Sequence, residues 1–139
     1  MIKLKRIAAL SLLVLFGMLN VRCAHSAEVI NVTLRVIDEE GFPIEGAQAI
    51  IEYYRVDSTF DTKRGKTNEN GLFSYRSKSE HDIGFSAEKD GYYKSTGKTH
   101  PYKMKGSRAI LEDEKPIYED QEIELVLKRI KKPVGLVAY

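Results

Sequence analysis

The residues of this chain best suited to chemistry or recognition lie between Tyr92 and Arg108. That stretch holds Lys94, Lys98, Lys103, Lys105 and Arg108 together with Tyr92, Tyr93 and Tyr102, and it contains no acid. Ammonium groups beside flat phenolic rings make a candidate binding surface for an acidic glycan, a lipid headgroup or a protein, because tyrosine offers contact area at low entropic cost. An acidic stretch follows at once: Glu112, Asp113, Glu114, Glu119, Asp120, Glu122 and Glu124. The same residues therefore also admit an internal pairing. In that arrangement a long loop folds beside an acidic strand, and the ion pairs organise it while adding little stability.

Other chemistries find less support. Beyond residue 26 the histidines are His81 and His100, both in polar stretches and without the spacing of a metal site. Asn68 and Asn70 do not form a calcium loop, because Lys66 stands where an acid is required. The single cysteine, Cys23, falls inside the leader described next, so no thiol chemistry is expected. No catalytic residue, metal or cofactor is expected.

The leader is legible in three zones. Met1 to Arg6 is basic, Ile7 to Leu19 is an apolar run of 13 residues, and Asn20 to Ala27 turns polar with small residues at Ala24 and Ser26. This is the form of a helical signal peptide cleaved before Ala27, and the run is short for a bilayer span. Two alternatives keep the product at a membrane: an uncleaved signal, or lipidation of Cys23, which Arg22 disfavours. Without residues 1–26 the 22 basic residues fall to 18, against 20 acidic ones. The slight basicity thus belongs to the leader, and nucleic acid is not an expected partner.

The remaining 113 residues suffice for one domain. Alternation at Ile30, Val32, Leu34 and Val36 marks a half-buried strand. A second follows with Ala47, Ala49, Ile51 and Tyr53 on one face. Asn70-Gly71 is a strong hairpin signal, and Leu72, Phe73 and Tyr75 open the returning strand. Ile83, Phe85 and Ala87 alternate again, as do Ile123, Leu125 and Leu127 in a last strand over Glu122–Lys128. The expected fold class is all-β, a small Greek-key β-sandwich. Its expected core is Val32, Leu34, Val36, Ile51, Phe73, Phe85, Leu125 and Leu127. Pro133 should end the last strand, leaving an uncharged tail to Tyr139 that docks on a partner or belongs to a truncated chain. The division is 1–26 signal peptide, 27–132 sandwich domain and 133–139 tail.

Four runs carry a resemblance: Val32-Leu34-Val36-Asp38, Gly41-Phe42-Pro43-Ile44-Glu45-Gly46-Ala47, Thr67-Asn68-Glu69-Asn70-Gly71-Leu72-Phe73 and Lys89-Asp90-Gly91-Tyr92. Over about residues 29–93 the chain resembles the carboxypeptidase regulatory-like domains of transthyretin-like fold. The resemblance implies an accessory module and no chemistry of its own. Two enzyme types on related scaffolds match poorly. The urate-pathway hydrolases of transthyretin-like type need several histidines and a C-terminal Tyr-Arg-Gly-Ser. Intradiol dioxygenases bind iron through two tyrosines and a His-x-His pair, and this chain has no His-x-His.

The expected function is an exported, non-enzymatic binding or structural module of the bacterial cell envelope, periplasmic or secreted. The alternatives are an enzyme of unrecognised type on the same scaffold, or a fragment of a larger secreted protein.

Overall fold

A computed structural model describes residues 28–131. The expected signal peptide, its Ala24, Ser26 and Ala27, and the tail over 133–139 lie outside the described residues. Within them the elements are strands and turns. In chain order the strands are β1 (Glu28–Ile37), β2 (Gln48–Tyr54), β3 (Phe60–Lys66), β4 (Leu72–Ser79), β5 (Ile83–Glu88) and β6 (Ser95–Thr99). Four two-residue strands follow: β7 (Met104–Lys105), β8 (Arg108–Ala109), β9 (Leu111–Glu112) and β10 (Lys115–Pro116). β11 (Gln121–Val126) comes last.

Two sheets face each other. The first has the order β11-β1-β4, with β11 parallel and β4 antiparallel to β1. The second is the antiparallel sheet β3-β2-β5-β6. Alternation places Ile30, Val32, Leu34 and Val36 inward from β1, Ala47, Ala49, Ile51 and Tyr53 inward along β2, and Ile83, Ala87, Leu125 and Leu127 against them. The all-β sandwich expected from the sequence is the fold observed.

Small residues set the spacing. Gly65, Ala49 and Ala87 lie in one register row across β3, β2 and β5, and the Phe73 ring from the opposite sheet fills the space a side chain at Gly65 would need. The Phe85 ring likewise lies over Gly97 on β6. Because β3 and β6 are the edges of their sheet, Phe73 and Phe85 are half-buried rather than central. The expectation that both are largely buried is corrected in this respect.

The Asn70-Gly71 turn also differs from expectation. It does not close a hairpin, because β3 and β4 belong to different sheets. Thr67 redirects the chain: its hydroxyl accepts from Ala47 N at 2.9 Å and donates to Ile44 O at 2.6 Å. Asn68 Oδ1 then accepts from Asn70 N and Leu72 N. Gly71 takes φ of +71°, and any side chain there would run into the Val36 carbonyl oxygen. Local turn chemistry is the same whether the next strand returns to its partner or crosses to the facing sheet.

Polar groups close the β3–β4 side of the sandwich. Asp61 on β3 accepts from the Tyr75 hydroxyl at 2.9 Å and from Ser77 Oγ, both on β4. Arg55 Nη2 stands 3.7 Å from the same carboxylate. The Ser77 bond, the Tyr75 bond and Arg55 hold the Asp61 carboxyl below its ordinary range against some desolvation. Deeper in, the Tyr53 hydroxyl donates to Tyr75 O at 2.7 Å, and burial pushes its pKa up.

Candidate binding face of the four-stranded sheet

With its odd-numbered residues committed to the core, β2 must present Gln48, Ile50, Glu52 and Tyr54 to the other side. Register extends these positions into rows. Lys66, Gln48 and Glu88 share one row, and Arg64, Ile50, Ser86 and Thr96 the next. Thr62, Glu52, Gly84 and Lys98 form the third, and Tyr54 pairs with Phe60 at the end. The face is therefore a mixed surface with cations on both margins, a carboxylate at Glu52 and at Glu88, and one aliphatic position at Ile50.

Gly84 shapes its centre. A methyl group there would lie 3.1 Å from Tyr54 Cε2, 3.2 Å from the Tyr54 hydroxyl and 3.6 Å from Glu52 Oε2. The phenol and the carboxylate thus close over the Gly84 backbone, which is buried beneath them. Lys98 Nζ stands 5.3 Å from the centroid of the Tyr54 ring, within cation–π range. Phe60 supports that ring edge-on at 5.0 Å between centroids. Tyr54 and Lys98 separate two open hollows. One of about 480 Å³ includes Ile50, Glu52, Arg64 and Gly84; the other, about 400 Å³, includes Arg55, Val56 and His81. Lys94 joins the first to a third hollow of about 520 Å³ beside Lys66, Glu88 and Tyr92.

The residues singled out in the sequence separate into two places. Lys94 and Lys98 lie on this face, with Tyr92 at its far hollow, where Arg129 sits 5.8 Å over the Tyr92 ring. Tyr93 is exposed, and its amide donates to Lys128 O at 2.8 Å. The others belong to the connection between β6 and β11. There Tyr102 stacks on His100 at 5.5 Å and meets Tyr118 edge-on at 6.1 Å. Lys103 reaches Glu119 at 3.8 Å, and Lys105 pairs with Arg108 across β7 and β8. Lys103–Glu119 is the one ion pair between the basic and acidic stretches among the described residues. Glu52, Tyr54, Arg64 and Gly84 were not singled out. The alternation of β2 already placed Glu52 and Tyr54 on its outer face, but nothing in the sequence reveals which residues lie across from them.

No family model matches the sequence, and no curated protein matches it significantly. Solved structures do match in fold. The 3-chlorocatechol 1,2-dioxygenase of Rhodococcus opacus aligns with TM-score 0.57 at 15% identity, over 78% of this chain and 62% of that one. The catechol 1,2-dioxygenase of Acinetobacter gives 0.57 at 13%, over 79% and 55%. An intradiol ring-cleavage dioxygenase of Tetranychus urticae gives 0.55 at 14%, over 76% and 83%. The chain spans 55–62% of the length of the first three dioxygenases it matches.

These likenesses correct two expectations. The structures named above are intradiol dioxygenases and not carboxypeptidase regulatory-like or transthyretin-like domains. The runs at Gly41–Ala47, Thr67–Phe73 and Lys89–Tyr92 serve here as turns and strand starts, which many sandwiches need; they are not specific to one family. The expectation of a non-enzymatic module leaned on that resemblance and is withdrawn with it, because the matching sandwiches are those of enzymes. The likeness is one of fold.

Iron held by two tyrosines and two histidines does not fit the described residues. His100 Nδ1 lies 2.8 Å from Asp82 Oδ1 without the alignment of a hydrogen bond, and its ring stacks on that of Tyr102, 13° from parallel, so it turns its face and not a nitrogen toward that phenol. His81 lines the hollow beside Tyr54 and Lys98 instead. Among the described residues no group of three His, Cys, Asp or Glu converges on a metal position.

Proposed function

We propose that this chain is an enzyme that holds a ring-bearing anion on the outer face of the β3-β2-β5-β6 sheet and moves a proton on it. The single observation carrying the reading is the meeting of Glu52, Tyr54 and Lys98, whose side chains close over the buried Gly84 and line one open hollow. Lys98, with Arg64 and Lys94 on the margins, supplies attraction for an anionic group. The Tyr54 ring supplies a flat surface for a second ring. Glu52 is an acceptor lining the same hollow, where a carboxylate acts as general base when substrate lies within hydrogen-bond reach. The fold likeness to enzymes acting on catechol and hydroxyquinol rings adds support for a ring-bearing substrate. Ring cleavage on iron is not part of the reading, since the donor set is not assembled.

We further propose export through the leader of residues 1–26, which the small residues Ala24 and Ser26 support.

The test is an amide-resolved NMR titration of residues 27–139 with a uronic acid and with a dihydroxybenzoate. Shifts centred on Gly84, Tyr54 and Lys98, lost in Tyr54→Ala, are expected. Shifts elsewhere, or none with either compound, overturn the reading.

A further inference from the structure

The open face is longer than one ring. From the Gln48 row to the Tyr54 row, β2 advances six residues, about 20 Å at strand rise. The three hollows line up along it: Lys94 is shared by the first pair, and Tyr54 with Lys98 by the second. A monocyclic ligand beside Tyr54 and Lys98 leaves the hollow at Lys66 and Glu88 unused.

The lining indicates what would fill the rest. Cations recur at Lys66, Arg64, Lys94 and Lys98, but carboxylates stand among them at Glu52 and Glu88. A polyphosphate backbone offers neither hydroxyl donors for these carboxylates nor a flat ring face for Tyr54. A carbohydrate presents hydroxyl groups, which donate to carboxylates, and a flat ring face, which suits Tyr54. An acidic sugar adds a carboxylate for the ammonium and guanidinium groups. We infer that the substrate is a linear acidic oligosaccharide, held in extended form from the Tyr54–Lys98 hollow to the Lys66–Lys94 hollow. This inference rests on the proposed function, since it places one acidic ring against Tyr54 and Lys98.

The experiment measures the affinity of residues 27–139 for galacturonate oligomers of one to six units and for their methyl esters, by calorimetry. Affinity is expected to rise about tenfold or more from monomer to tetramer, and the esters should bind at least about tenfold more weakly. In Lys66→Gln the monomer affinity should persist while the gain with length shrinks. A monomer that binds through Tyr54 without any gain on lengthening overturns the extended site and leaves the proposed function standing. Failure of every length to bind overturns the acidic-sugar inference; if a dihydroxybenzoate also fails, the proposed function falls with it. Esters that bind as well as the acids overturn the charge pairing. A poly-aspartate peptide that binds more tightly than the hexamer overturns the choice of a glycan.

Discussion

The ammonium of Lys98 on β6 lies 5.3 Å from the centre of the Tyr54 ring on β2, although a whole strand, β5, separates them in the sheet. The contact exists because the neighbour of Lys98 in its own row is Gly84, and with no side chain there the Tyr54 ring leans across from the next row. Cation, ring and carboxylate come together here because one position is vacant of side chain, which makes that position the sensitive one.

Gly84→Ala should therefore separate stability from binding. The added methyl would press on Tyr54 at 3.1–3.2 Å and tilt the ring away from Lys98. Affinity for a ring-bearing anion should fall about tenfold. The melting temperature should hold or rise slightly, since glycine inside a strand costs about 0.5–1 kcal/mol relative to alanine. Calorimetric titration beside thermal denaturation checks this, and unchanged affinity would contradict it.

Asp61 should contribute to the acid limb of stability. Its carboxyl is held below the ordinary range by Ser77, Tyr75 and Arg55, so its contribution is complete above the unfolded pKa of about 3.9. That contribution is lost as pH falls through the lower folded value. On going from pH 6 to pH 2, the wild type should lose more stability than Asp61→Asn, as followed by denaturant unfolding. Parallel losses would mean that the β3–β4 clip is not linked to protonation of this group.

Gly71→Ala should destabilise by more than about 1 kcal/mol, because it combines a positive φ with a collision against the Val36 carbonyl. Asn70→Ala, at the preceding position, should cost less, since the turn bonds run through Asn68. Denaturation midpoints of the two variants settle the order.

Much of this architecture is legible in the residues themselves. β1, β2, β5 and β11 announce themselves by alternation, since each has one face in the core and one in water. β6 does not, because Ser-Thr-Gly-Lys-Thr buries no aliphatic side chain, and Gly97 serves only as a seat for Phe85. β3 is charged on both sides and lies at an edge. The crossing at Thr67–Gly71 reads as a hairpin because the bond that diverts it, Thr67 to Ile44, spans 23 positions. The candidate face was half visible for the same reason. Lys94 and Lys98 stood out by composition, whereas Glu52, Tyr54 and Arg64 join them only through strand order.

Export makes a separate prediction. Intact mass of the secreted or periplasmic product should correspond to a chain beginning at Ala27. A mass retaining residues 1–26, or a lipid-modified product beginning at Cys23, would contradict it.

The central claim is that Glu52 acts as a base on a ring-bearing anion held in the hollow lined by Glu52, Tyr54 and Lys98. Its most direct test is proton exchange in heavy water, followed by the loss of the proton signal beside the carboxylate of a bound uronate. The wild type should accelerate exchange over the uncatalysed rate. Glu52→Gln should still bind the uronate but exchange at least about 100-fold more slowly, the scale expected for a lost general base. Saturating uronate on the wild type with no acceleration of exchange, or equal exchange in Glu52→Gln, would contradict the account.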